Sequence, residues 1–193
     1  MSPEQFDFVV KHPAEMLGAT PEHEKALALF FGEEYWKGVW VIQEITVARK
    51  VSILYGDHRL RWEDVATTLR KLLENLSTFS DKCTATAEAI KCVVHLLKFR
   101  GRYLERDTIS LFDALVWSRR ALSTDPRDKI FALLGLCHDG RTFVPVPNYK
   151  QDLMTIIAEM SKEMMFLRKN LDLICLRGVS DGDASIAAKN LPR

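Results

Sequence analysis

Between residues 35 and 50 the chain carries Trp36, Val39, Trp40, Val41, Ile42, Ile45 and Val47, with a single acid, Glu44, among them. A helix that is apolar on nearly every side has little surface to give to water, so its surroundings must cover most of it. At 100° per residue Trp36, Trp40, Gln43, Glu44 and Val47 fall on one face, while Val39, Val41, Ile42 and Ile45 cover the rest. The pattern predicts a buried helix and a carboxylate withdrawn from water. Stripping a buried carboxylate of its partner costs about 3–5 kcal/mol. Glu44 is therefore expected to have a cationic partner, with Arg127 or Arg49 as candidates, or a chemical task.

A chain of 193 residues with 47% hydrophobic content can bury a core of its own, and its length favours one domain over two. Lys+Arg 27 against Asp+Glu 26 leaves a formal charge of +1, too little to draw nucleic acid or an anionic membrane by bulk field, so neither is expected as a partner. The longest apolar runs, 26–31 and 39–42, fall well below the roughly 20 residues of a membrane span. The start, Met1-Ser2-Pro3-Glu4-Gln5, lacks the basic and apolar regions of a secretion signal, and a soluble cytoplasmic protein is expected. Cys83, Cys92, Cys137 and Cys175 form no C-x-x-C pair, which favours reduced, partly buried thiols over a zinc module or a disulfide scaffold. Cys92 and His95 stand at i, i+3, but no second pair lies at ligand spacing and no metal is expected.

Residues 1–20 read as a loosely packed lead-in. Pro21 opens a helix over 21–31 that Gly32 ends, and the Glu44 helix runs to about Lys50. A β-rich run at 51–55 leads into the turn signal Gly56-Asp57. Apolar residues at three-to-four spacing then predict helices over 62–79, 85–99 with Gly101 as C-cap, and 108–122 capped by Asp107 or Thr108. Thr124 or Asp125 can cap a short helix with Pro126 at its first position and Ile130 to Leu136 as its apolar face. Pro145 and Pro147 keep the next segment extended, a last long helix spans 153–167, and 171–176 reads as a final strand. The fold class is α/β and predominantly helical: a partial sheet of few short strands packed by about six helices.

Three segments stand out in combination. Trp40-Val41-Ile42-Gln43-Glu44 is followed by Ala48-Arg49 and Gly56. Thr124-Asp125-Pro126-Arg127-Asp128-Lys129 runs into Ile130-Phe131-Ala132-Leu133-Leu134-Gly135-Leu136. Pro147-Asn148-Tyr149 then leads into the last helix. On these residues, which keep the family's order over 27–175, the chain resembles the C-terminal portion of the fungal heterokaryon incompatibility (HET) domain. The family's N-terminal portion, with its Trp-Gly element and its Ile-Asp-x-x-Cys-Ile-Asn-Gln-type segment, has no counterpart here. The resemblance therefore implies a truncated HET-like domain over 21–176, with 1–20 as lead-in and 177–193 as a tail. It also implies a role in non-self recognition and programmed cell death.

HET domains are themselves remotely similar to TIR domains, some of which cleave the bond between nicotinamide and ribose in NAD. In those enzymes a catalytic glutamate follows a tryptophan by four residues on a helix leading into a strand, and Trp40, Glu44 and the run 51–55 are similar in arrangement. The likeness implies NAD as substrate rather than resident cofactor, with Glu44 stabilising an oxocarbenium-like ribose and Trp40 stacking on the flat ring. TIR pockets also draw on the half of the fold that has no counterpart here, so this chain alone is expected to be inactive.

The residues by themselves support plainer roles. Glu44 fits a buried ion pair, and Asp125, Arg127 and Asp128 fit a helix start whose arginine reaches a neighbouring carboxylate. Trp36, Trp40 and Trp62 fit core positions, and His58 beside Asp57 a solvated pair. A second function class follows: a non-enzymatic helical adaptor that binds a complete HET-type partner, or a second copy, through apolar surface and a strand edge at 51–55.

Overall fold

Gly38 divides what the periodicity reads as one helix. In the computed structural model, which describes residues 28–74 and 84–169, α1 (Glu34–Lys37) and α2 (Val39–Val47) are separate helices. Gly38 bridges in parallel to Leu122, and the Val39 N–H donates to the Leu122 carbonyl at 2.8 Å, which takes the main chain out of the helical ladder at that point. Helix α2 also stops at Val47, short of the expected Lys50.

Strand β1 (Ser52–Tyr55) pairs antiparallel with β2 (His58–Arg61), in the register Ser52↔Arg61 to Tyr55↔His58. The loop is Gly56-Asp57, and Gly56 at φ +59 supplies the positive φ that a tight hairpin loop takes at its first position. His-Arg-Leu-Arg is too polar to signal a strand, so β2 is visible only through its partner.

Helix α3 (Trp62–Glu74) follows at once, its first N–H donating to the Val51 carbonyl at 3.1 Å, with Glu63 and Asp64 in the first turn where the dipole favours acids. Helix α4 (Thr84–Leu104) runs straight through Gly101, which is therefore not a C-cap. Its end is closed by a Schellman pair, Arg106 N–H to Tyr103 O at 3.1 Å and Asp107 N–H to Arg102 O at 2.9 Å, with Arg106 itself at φ 57.

Helix α5 (Leu111–Trp117) is shorter than the predicted 108–122, because Ser110 rather than Asp107 or Thr108 caps it. The Ser110 oxygen accepts from Asp113 N–H at 3.1 Å while its hydroxyl donates to the Asp113 carboxylate at 2.6 Å. The Leu111 N–H, a further orphan donor, goes to Asp139 at 2.6 Å. Helix α6 (Asp128–Phe131) starts later than the expected Pro126, with Arg127 rather than Thr124 or Asp125 at its N-cap, because Asp125 to Asp128 form a turn in which the Asp128 N–H donates to the Asp125 carbonyl at 3.0 Å; α7 (Gly140–Phe143) is a short helix with no apolar period to announce it. At Gly140 any side chain would meet the Leu134 carbonyl oxygen at 2.7 Å, so only glycine lets α7 start there. Helix α8 (Leu153–Arg168) matches its prediction; Asp152 caps it by accepting from Met154 and Thr155 N–H at 2.9 and 3.2 Å.

The fold is thus predominantly helical with one small antiparallel sheet among the described residues. The lead-in 1–20, residues 21–27, 75–83 and 171–176, and the tail 177–193, with Cys83 and Cys175, lie outside them.

The described chain forms two compact units, one from 28–37, 47–74 and 84–98, the other from 38–46 and 99–169. The first is built on aromatics. Phe30, Phe31, Trp36 and Trp62 are all within 2% of full burial, and Phe30 sets its ring edge-on to Phe31, Trp36 and Tyr55 at centroid distances of 4.9, 5.2 and 5.2 Å. Such pairs add about 0.5–1.5 kcal/mol each beyond area burial. The second buries Val39, Ile42 and Ile45 of α2, Leu111 of α5, Ile130 of α6 and Met160 of α8.

Within that second unit Arg100 is almost wholly buried and donates from Nη1 to the Ile45 carbonyl at 2.5 Å, satisfying one of the orphan carbonyls at the end of α2. Arg100→Met keeps the apolar stem but strands that carbonyl. Urea unfolding should show a loss of about 1–3 kcal/mol, and no change in midpoint would deny the bond its structural role.

Candidate functional site

Helix α2 presents its two faces differently from the expectation. Val39, Val41, Ile42, Ile45 and Thr46 are buried, whereas Trp40 and Val47 are 43% and 47% exposed and Glu44 is exposed as well. The buried Glu44 is therefore corrected: a helix as short as α2 covers only one of its two apolar faces, and the acid marks the uncovered one. Trp40 is likewise not a core filler, while Trp36, on α1, and Trp62, on α3, are buried. Glu44 and Trp40, at i and i+4, stand together on open helix surface. Arg49, the other candidate partner, is exposed on the segment after α2.

Arg127 is occupied elsewhere. Asp125 opens the segment with an Asx turn, its Oδ1 accepting the Arg127 N–H at 2.9 Å, which swings the guanidinium back over the same carboxylate. Arg127 Nε donates to Asp125 Oδ1 at 2.9 Å and Nη2 to Oδ2 at 2.6 Å, a two-pronged pair that a lysine could not make. Its remaining prong, Nη1, donates to the Tyr149 carbonyl and to the Gln151 carbonyl, the latter at 3.2 Å. The expected Glu44–Arg127 pair is thus replaced by Arg127–Asp125, because the carboxylate two residues away is already oriented.

Asp128 has a different partner. The Tyr149 hydroxyl donates to Asp128 Oδ1 at 2.6 Å, and the Tyr149 ring lies edge-on to Phe131 at 5.0 Å and under the Arg127 guanidinium at 5.4 Å. That hydrogen bond, with partial burial and the Asp128 and Asp125 charges, pushes the Tyr149 phenol up to about 12. The hydrogen bonds from Arg127 hold the Asp125 carboxyl below its usual range.

The segments meet at one further bond: Gln43 Nε2 donates to the Ala132 carbonyl at 2.5 Å, and Ala132 is the residue that closes α6. Gln43 of the first motif, Asp125 to Ala132 of the second and Tyr149 of the third are joined inside one compact unit. The expected link between the first two segments was Glu44–Arg127; the bond that joins them is Gln43 to the Ala132 carbonyl. The link from Arg127 to Tyr149 spans a loop, which no local period can report.

Two further groups have shifted proton affinities, and Cys137 is the free, partly buried thiol that the cysteine spacing leads one to expect. Cys137 is half-buried, and burial, with Asp139 and Asp113 nearby, pushes its thiol up to about 12, which leaves it protonated and unreactive at neutral pH. Lys129 is buried, and burial lowers its pKa. Among the described residues no group of three His, Cys, Asp or Glu side chains is placed to hold a metal, and no helix is long and apolar enough to cross a membrane. Compared with models of protein families, with curated proteins and with solved structures, the chain finds no match.

The Arg127 network has a defined acid response. Asp125 has a folded-state pKa below its unfolded one, so its contribution to stability is complete above about pH 4 and is lost as pH falls through the lowered value. Asp125→Asn keeps the Asx oxygen and removes the charge; its stability should fall less steeply below pH 4 than that of wild type. Superimposable acid-unfolding curves would mean that the pair carries no linkage.

Proposed function

We propose that this chain is a HET-like module of fungal non-self recognition and programmed cell death signalling, cytoplasmic, and acting through protein contact rather than catalysis. One observation supports it: the three segments that carry the resemblance are bonded to one another, through Gln43 to Ala132 and through Arg127 and Asp128 to Tyr149. Residue types scattered over a hundred positions of sequence acquire a common physical reason, the assembly of one unit. Expression in a fungal host tests the reading. Growth arrest that depends on Arg127, and is lost in Arg127→Ala while the variant protein still accumulates, is the expected outcome. Unimpaired growth with abundant wild-type protein, alone and beside a complete HET protein, counts against it.

The exposed face of α2 favours the adaptor form of this function. Trp40 is a large aromatic left 43% exposed beside the Glu44 carboxylate, the combination of apolar anchor and charge found at protein interfaces. A complete HET-type protein or a second copy of this chain is the partner in this reading. The same exposure argues against NAD cleavage by Glu44 and Trp40, because stabilising an oxocarbenium-like ribose needs a site from which water is excluded. Purified protein should release nicotinamide from NAD no faster than buffer, and Glu44→Ala should not change the rate. A wild-type rate abolished by that substitution would restore the enzymatic reading.

A further inference from the structure

Between α2 and β1 the segment 48–51 lies outside any helix or strand and carries Arg49 and Lys50, both exposed, three and two residues ahead of Ser52. Ser52 is exposed as the first residue of β1, and its hydroxyl oxygen accepts a hydrogen bond from Arg59 Nη2 at 3.1 Å across the hairpin. Arg61 stands directly opposite Ser52 in the register, where side chains on one face come within about 5 Å of each other at Cβ. Arg59 and Arg61 are both exposed. Arg61 is held to Asp64 at 2.8 and 2.9 Å, a solvent-facing pair of the weakly stabilising kind. Two cations thus precede this hydroxyl in sequence and two face it from the paired strand.

An arginine three positions ahead of a serine is the charge pattern that basophilic protein kinases hold in an acidic groove. Among the described residues it occurs at Arg49–Ser52 and at Arg120–Ser123; Arg177–Ser180 lies outside them. The structure separates the first two, because the Ser123 hydroxyl is buried and the Ser52 hydroxyl is on open surface. We propose that Ser52 is a phosphorylation site for a basophilic serine kinase, and that its phosphoryl group is then held by Arg59 and Arg61. In the step itself Ser52 Oγ attacks the γ-phosphorus of ATP, the hydroxyl proton passes to a base of the kinase, and the bond from that phosphorus to the bridging oxygen breaks to release ADP. The product carries nearly two negative charges and three acceptor oxygens in place of one neutral hydroxyl. Arg59 then donates to a charged oxygen instead of a neutral one, and Arg61 has a dianion to exchange for the Asp64 carboxylate. Modification so fastens β1 to β2. The inference needs only the hairpin and does not rest on the signalling role.

Incubation of the full chain with ATP, magnesium and the catalytic subunit of the cyclic-AMP-dependent kinase, followed by phosphopeptide mapping, tests the site. Phosphate should appear on Ser52 and not on Ser123, should be lost from that peptide in Ser52→Ala, and should be reduced in Arg49→Ala. No phosphate on Ser52 of the folded wild-type chain overturns the proposal. Hydrogen exchange of the phosphorylated chain tests what holds the group. Amides within 52–61 should slow about tenfold relative to the unmodified chain, the factor that one hydrogen bond to a charged group supplies. Arg59→Gln, phosphorylated on the same serine, should lose most of that slowing. Phosphate on Ser52 with unchanged hairpin exchange overturns the claim that Arg59 and Arg61 hold it. Both decisive readouts are taken on wild type, so neither depends on how a variant folds.

Discussion

The guanidinium of Arg127 is the interaction on which the second compact unit depends. It closes on Asp125, two residues before it, and reaches the carbonyls of Tyr149 and Gln151. Three separate demands are met by one planar group: an Asx turn is locked, a helix start is fixed, and the loop ahead of α8 is tied down just before Asp152 caps that helix. The side chains are only partly covered, so the pair's value lies less in Coulomb energy than in geometry. Tyr149 reinforces it from the other side, with its hydroxyl on Asp128 and its ring against Phe131.

Burial of charge follows a different plan from the one the hydrophobic pattern suggests. The acid in the apolar helix, Glu44, is exposed, whereas two cations, Arg100 and Lys129, are buried. Arg100 caps the carbonyl end of α2 and so replaces water at a helix terminus. A short helix with apolar residues all round does not declare which face is covered; only tertiary placement does, and Gly38 begins that placement by pairing with Leu122.

What the sequence could show was governed by range. Helix α8 was legible because Ile156, Met160 and Met164 repeat on one buried face, although the Asp152 cap went unread. The hairpin turn was legible through Gly56-Asp57, whereas Pro126 announced α6 without fixing its first residue, since Asp125 to Asp128 form a turn ahead of the helix. The end of α4 was not, since the chain closes it with Arg106 in a conformation that favours glycine while Gly101 sits inside the helix. Nor was α7, which exists because Gly140 passes close to Leu134. At the candidate site the residue types of Asp125, Arg127 and Asp128 pointed to a helix start with an ion pair. Their bonds to Tyr149 and Gln151 depend on a loop path that local pattern does not encode.

The account therefore turns on whether Arg127 holds the loop to the start of α6. Hydrogen exchange of wild type and Arg127→Lys measures this directly. Loss of the fork should raise exchange selectively at residues 148–156 and 127–133, with the hairpin and α3 unchanged. Unchanged exchange at 148–156, or a uniform rise across the chain, would contradict the claim that one guanidinium joins these segments.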